Sequence, residues 1–80
     1  MFLAPFVATP TPVVRQMLIL AELKPGDILF DLGSGDGRAV IMAAQDFGAT
    51  SVGVELRDDL AKRALDNIQK LDLNEKTKII

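Results

Sequence analysis

The sequence contains no cysteine, histidine, tryptophan or tyrosine among its 80 residues. Without cysteine the chain can form no disulfide, and it can offer neither a thiol nucleophile nor a thiolate ligand for zinc. Without histidine it also lacks the commonest general base and metal ligand of proteins. We therefore predict no metal site in these residues.

Basic residues and long hydrophobic runs are also scarce. Nine lysines and arginines stand against eleven acids, a net charge of −2, whereas nucleic-acid-binding proteins usually carry a basic excess. The apolar N-terminal stretch has no basic residue ahead of it and is interrupted by Pro5, Pro10 and Pro12. We therefore expect neither nucleic-acid binding, nor a signal peptide, nor a membrane span, and we expect a cytoplasmic location.

Hydrophobic periodicity predicts helices alternating with strands after an extended arm over residues 1–10. Thr11 followed by Pro12 suits the N-cap and first position of a helix, and Asp58 suits the N-cap of a later one. This alternation predicts a parallel sheet with right-handed crossovers, in which ligands bind at the carboxyl ends of the strands. The predicted strands are 28–32, 51–56 and 77–80, and the first two predicted helices are 12–23 and 38–47, the second of which Gly48 ends.

The segment FDLGSGDGRAV places Gly33, Gly35 and Gly37 at alternate positions between a strand and a helix. Such glycines permit positive φ angles and allow a ligand to approach the backbone closely. A nucleoside triphosphate loop would need a lysine after the glycines, and none follows. A dinucleotide loop would need glycine or alanine where Arg38 stands.

Two acids accompany this loop: Asp31 precedes it, and Glu55 ends the next predicted strand, 22 residues after Gly33. One carboxylate can accept two hydrogen bonds from a vicinal diol, and acids favour a cationic ligand without phosphates. The pattern resembles the class I, Rossmann-like methyltransferases that use S-adenosylmethionine. More narrowly, TPTPVVRQML, DILFDLGSGDGRAVIMAA and VGVEL look like small archaeal protein-lysine methyltransferases of the non-SET kind, over nearly the whole chain.

The resemblance implies an α/β, Rossmann-like three-layer parallel sheet, of which residues 1–80 supply the N-terminal, cofactor-binding part: a helix and then β-α-β-α-β. Catalytic residues would lie beyond residue 80, and a protein lysine is a plausible acceptor. Arg38 is expected to bridge to a neighbouring carboxylate. The resemblance also implies a role for each site residue. Asp31 would face the amino-acid end of S-adenosylmethionine, and Thr11 would lie near the same, methionine end. Glu55 would bind the ribose and Leu56 would pack on the adenine, whereas the cofactor-binding loop would consist of Gly33, Ser34, Gly35 and Gly37.

An incomplete domain has a structural consequence. The strand at 28–32 is expected to have an unpaired side, since the strand that pairs with it in the family is not in this sequence. The alternative hypothesis is therefore a non-catalytic α/β module that self-associates as a homo-oligomer through an open sheet edge.

Overall fold

A computed structural model describes residues 2–5 and 9–80 of the chain. The strands form one parallel sheet in the order β1-β2-β3-β4, so the Rossmann-like α/β prediction is confirmed. The elements follow the expected alternation with one strand added at the start: β1 (Phe2–Pro5), α1 (Thr11–Leu20), β2 (Ile28–Leu32), α2 (Arg38–Phe47), β3 (Thr50–Val54), α3 (Asp58–Lys70) and β4 (Thr77–Ile79).

The added strand corrects one expectation about β2. Part of the expected N-terminal arm is β1, which pairs in parallel with β2 in a register that places Phe2 beside Leu29 and Ala4 beside Asp31. Both edges of β2 are thus hydrogen-bonded, on one side to β1 and on the other to β3. The prediction that the strand at residues 28–32 has an unpaired side is wrong, because β1 forms backbone hydrogen bonds with that side of β2.

The helices lie against one face of the sheet, so the described residues form two of the three layers expected for the complete fold. Each connection returns to the adjacent strand in the same direction, and right-handed crossovers then put successive helices on one side. Alternation along β2 buries Leu29 and Asp31 toward the helices and exposes Ile28 and Leu32 on the opposite face. The core joins α1, α2 and the strands through Val14, Leu18, Leu23, Leu29, Met42, Ala43 and Ala49.

The helix ends differ from the expected ones by a few residues. Helix α1 ends at Leu20 rather than residue 23, because Glu22 adopts a left-handed φ of 56° and Leu23 N–H donates to the carbonyl of Leu18 at 3.2 Å. Helix α3 ends in the same Schellman arrangement, with Asp72 at φ 57°. In the described part of the chain, no helix is both long and apolar enough to cross a membrane.

Two predicted N-caps are also wrong. Thr11 and Asp58 are the first helical residues, and the cap positions belong to Pro10 and Arg57. The carbonyl of Pro10 accepts from Val13 N–H at 2.9 Å, so the backbone turn starts one residue earlier than the side-chain pattern suggests. Asp58 still lies in the first turn of α3, where a negative charge is favourable beside the helix dipole.

Candidate functional site

The two acids singled out in the sequence lie at the carboxyl ends of neighbouring strands. Asp31 is in β2 and pairs in register with Gly53 of β3, and Glu55 directly follows β3, which ends at Val54 rather than residue 56. The glycine loop connects β2 to α2 between these acids. A parallel sheet of this kind places ligand-binding groups at this edge.

Asp31 is almost completely buried, with 2% of its surface exposed. Within residues 2–5 and 9–80, its Oδ2 atom has no hydrogen-bond partner. Burial, together with the negative charge of Glu55, raises the pKa of Asp31 to about 6. A buried acceptor in this condition is stabilised by a cationic donor, so the site suits a ligand that carries a positive charge.

Ser34 fills space that Gly53 leaves open. A Cβ atom at Gly53 would lie 2.7 Å from both Cβ and Oγ of Ser34, closer than real Cβ contacts. The Ser34 side chain is fully buried, and its Oγ is a second polar atom for which the described residues provide no partner. Gly53 pairs with Asp31, so a side chain at position 53 would point to the same, helix-facing side of the sheet as Asp31. Ser34 occupies that space, so both unpartnered oxygens, Asp31 Oδ2 and Ser34 Oγ, lie on this side.

The backbone amides of the loop are largely occupied by the protein itself. Gly33 and Ser34 N–H both donate to the Val54 carbonyl, at 2.7 and 2.9 Å, and Gly37 N–H donates to the Ser34 carbonyl at 3.0 Å. Gly35 N–H donates to Oε1 of Glu55 at 2.7 Å. A phosphate-binding loop instead directs its N–H groups at the anion, so this arrangement suits a ligand without phosphates.

Backbone N–H groups hold the Glu55 carboxylate in place and favour its ionised form. Its Oε2 accepts from Arg57 N–H at 2.9 Å, and its Oε1 accepts from Gly35 N–H. These bonds lower the pKa of Glu55 below its usual value, with the Arg57 bond first among the causes. Each carboxylate oxygen has two lone pairs, so both can still accept from a ligand hydroxyl. Leu56, immediately after it, is 92% exposed.

A cluster at the other side of the loop joins Asp36, Arg38 and Thr9. The Arg38 guanidinium donates to both Asp36 oxygens, at 3.2 and 3.0 Å, which confirms the expected bridge to a neighbouring carboxylate. Its Nη1 donates to the Thr9 carbonyl at 2.8 Å. Thr11 is exposed at the start of α1, two residues after Thr9.

The sequence-based predictions did not include two features of this site, the contact between Ser34 and Gly53 and the bond from Arg38 to Thr9. The contact between Ser34 and Gly53 has a sequence signal, because a glycine inside the predicted strand SVGVEL indicates a close approach at that position. The bond from Arg38 to Thr9 spans 29 residues and ends on a backbone carbonyl. Since every residue has such a carbonyl, no residue type could have indicated this partner.

Comparisons with known proteins agree with this geometry. A protein-lysine N-methyltransferase of Saccharolobus islandicus is 46% identical over 77 residues, which are 95% of this chain and 48% of that protein. The crystal structure of an RNA methyltransferase from Salinibacter ruber in complex with S-adenosyl-L-homocysteine matches with a TM-score of 0.89 and 46% identity, over 92% of this chain and 48% of that one. The predicted resemblance to archaeal protein-lysine methyltransferases is thus confirmed.

A more distant structure shows the same fold. The SAM-dependent methyltransferase of Thiobacillus denitrificans, also in complex with S-adenosyl-L-homocysteine, matches with a TM-score of 0.82 and 26% identity over 90% of this chain and 29% of that one. The chain therefore spans about half the length of the first relatives it matches, or less. The family model described as mycolic acid cyclopropane synthetase matches residues 12–80. With nearly all of its length covered by that model, the chain belongs to the mycolic acid cyclopropane synthetase family.

Proposed function

We propose that residues 1–80 are the cofactor-binding portion of an S-adenosylmethionine-dependent methyltransferase. The observation that carries the proposal is the pair of strand-end acids around a glycine loop whose amides are internally bonded. Asp31 offers a buried, unpartnered carboxyl oxygen for a cation, and Glu55 offers an ionised carboxylate for a diol. S-adenosylmethionine carries an ammonium, a sulfonium and a ribose diol but no phosphate, so the residues present fit it.

Each site residue has a proposed role in holding this cofactor. Asp31 would accept from the ammonium of the methionine moiety, directly or through water, and Glu55 from both ribose hydroxyls. Leu56 would cover one face of adenine, which explains a leucine that is otherwise 92% exposed. The loop residues Gly33, Ser34, Gly35 and Gly37 would form the turn beside the cofactor, in which the missing Cβ of Gly37 also leaves room for Ala64 of α3. Thr11 would lie near the methionine end of the cofactor.

When bound, S-adenosylmethionine would supply an electrophilic methyl group. An acceptor lone pair would bond to the methyl carbon in line with the breaking carbon–sulfur bond, and S-adenosylhomocysteine would leave. Alignment and desolvation of the acceptor are the main contributions of a protein to such a step. We propose a protein lysine as the acceptor. The Saccharolobus islandicus relative supports this choice, and so does the net charge of −2, which favours a basic protein over polyanionic RNA. A cytoplasmic location remains a prediction from the sequence.

Calorimetric titration with S-adenosylhomocysteine tests the cofactor assignment. We expect saturable binding by the wild-type chain and binding weakened at least about tenfold in Glu55→Gln, because an amide accepts ribose hydroxyls less strongly than a carboxylate. Glu75→Gln, an exposed acid outside the site, is the matched control and should bind as the wild type does. Absence of binding by a folded wild-type chain would favour the non-catalytic module instead.

Transfer of a radiolabelled methyl group tests the acceptor separately. Because the catalytic residues are expected beyond residue 80, a protein that carries these residues together with the rest of a methyltransferase domain is incubated with labelled S-adenosylmethionine and either a lysine-rich peptide or a short single-stranded RNA. Label in the peptide that is lost when its lysines are replaced by arginine supports the lysine assignment. Label in the RNA alone would contradict it while leaving the cofactor assignment intact.

A further inference from the structure

We propose that Arg38 is a positioning residue that holds the segment before α1 beside the glycine loop and thereby strengthens binding of the amino-acid half of the cofactor. The inference rests on the proposed function and adds a specific determinant to it. Arg38 is the first residue of α2, directly after the loop, and its guanidinium is shared between two elements far apart in sequence.

All three nitrogen atoms of the Arg38 guanidinium donate hydrogen bonds. Nε and Nη2 donate to the two oxygens of Asp36, and Nη1 donates to the Thr9 carbonyl. A lysine could not make these three bonds at once, because its ammonium is a single point without the planar fork. Thr9 is followed by Pro10, whose carbonyl accepts the first α1 amides, from Val13 at 2.9 Å and Val14 at 3.1 Å. The guanidinium thus fixes the chain where α1 begins.

These bonds connect to the other end of the site. Glu55 accepts from Gly35 N–H, Gly35 adjoins Asp36, and Asp36 holds Arg38, which holds Thr9. The chain of contacts crosses from the end of β3 to the start of α1. Hydrogen bonds and one peptide linkage thus run continuously from Glu55 across the loop to Thr9.

Sheet order indicates which half of the cofactor this segment meets. With the ribose at Glu55 after β3, a ligand that reaches Asp31 in β2 runs away from β4 and toward β1. Thr9, which Arg38 holds, and Pro10 directly precede α1, the helix that lies between β1 and β2 in the chain. The methionine part therefore approaches the Thr9 segment, whereas the adenosine part remains near β3.

The test compares Arg38→Gln with the wild type for two ligands, S-adenosylhomocysteine and adenosine. We expect the variant to bind S-adenosylhomocysteine roughly tenfold more weakly and adenosine nearly unchanged, because the lost contacts position only the methionine side. General loss of structure would weaken both ligands equally and would overturn the proposal. Arg38→Lys should behave like Arg38→Gln, since charge alone does not reproduce the fork.

Asp46→Asn provides the matched control, because it removes a different contact of α1 with α2. The Asp46 carboxylate pairs with Arg15 at 2.8 Å, away from the loop. We expect this variant to bind both ligands as the wild type does. A selective loss of S-adenosylhomocysteine binding in Asp46→Asn would show that any loosening of α1 suffices, which contradicts a specific role for Arg38.

Amide hydrogen exchange of the ligand-free chain separates this proposal from the proposed function. Exchange at Val13 and Val14 should accelerate in Arg38→Gln, because their acceptor, the Pro10 carbonyl, directly follows Thr9, whose carbonyl loses its bond from Arg38. Unchanged exchange there would overturn the positioning role even if S-adenosylhomocysteine binds. A wild-type chain that binds neither ligand would overturn the proposed function, while the exchange result would still decide whether Arg38 holds the segment.

Discussion

Replacing Asp31 with asparagine is expected to raise the stability of the ligand-free protein relative to the wild type, and to do so more at neutral pH than at acidic pH. The carboxyl is 2% exposed, its Oδ2 has no partner among the described residues, and its pKa is raised to about 6 from 3.8. At neutral pH the folded protein must therefore hold a buried negative charge with little compensation. Asparagine has nearly the same shape and no charge, so it removes that cost.

The sign follows from proton linkage. The pKa of Asp31 is higher in the folded state than in the unfolded state, so folding takes up a proton between these two values. The free energy of unfolding then falls as pH rises from about 4 through about 6. Each pKa unit corresponds to about 1.4 kcal/mol, so the full shift amounts to about 3 kcal/mol above pH 6.

The assay is urea unfolding of both proteins at about pH 5 and about pH 7.5. We expect the stability of Asp31→Asn relative to the wild type to increase by about 1.4 kcal/mol between these conditions, because part of the linkage effect is already present at the lower pH. A buried asparagine amide has its own cost, but that cost is independent of pH and cancels in the comparison. Asp66→Asn, an exposed acid on α3, is the control and should show no such increase.

One result would refute this reasoning. If the difference in stability between Asp31→Asn and the wild type is the same at both pH values, the carboxyl of Asp31 is not held toward its neutral form. Its proposed role as an unsatisfied acceptor for a cationic group would then lose its energetic basis, although Glu55 and the loop would be unaffected.

Three further outcomes are expected. Affinity for S-adenosylhomocysteine should fall by up to about tenfold per pH unit below the Asp31 pKa of about 6, because the ligand's ammonium favours the ionised carboxyl. Equal affinities by calorimetry at about pH 5 and about pH 7.5 would contradict this. Gly53→Ala should cost about 1–3 kcal/mol in urea unfolding, partly restored by adding Ser34→Gly, and a neutral single variant would show that the two residues do not touch. Leu29→Ala, at a site 2% exposed, should cost about 2–5 kcal/mol, whereas Leu20→Ala, at a site 80% exposed, should cost almost nothing; similar losses would contradict the described core.

The order of the principal elements was readable from local patterns. Strand β2 and helix α2 match their predicted bounds, because an apolar run, alternating glycines and Gly48 mark these boundaries within a few residues. Gly48 adopts a φ of 68°, as a glycine at a helix end commonly does. By contrast, α1 and α3 end with Glu22 and Asp72 in left-handed conformations that their side chains do not favour. Leu23, which follows the first of these residues, is buried in the core, and such burial cannot be read from the local sequence.

The sequence also determined the chemistry available at the strand ends. The positions of Asp31, the glycines and Glu55 follow from strand and loop lengths alone, since parallel strands bring their carboxyl ends to one edge. Tertiary structure decided how these groups behave. The pKa of Asp31 is raised by burial and by the charge of Glu55, which is 24 residues away in the sequence. Glu55 in turn accepts a hydrogen bond from Gly35 N–H.

Tertiary structure alone decided the pairing of β1 with β2, the seating of Ser34 against Gly53, and the bond from Arg38 to Thr9. Each joins residues distant in sequence through backbone groups or through the absence of a side chain. A local pattern records which side chains are present, whereas a backbone carbonyl or an empty Cβ position gains a specific partner only when the chain is folded. Residue type and spacing therefore specified the edge of the sheet at which we propose a ligand binds, and packing specified which polar groups at that edge have no partner within the described residues.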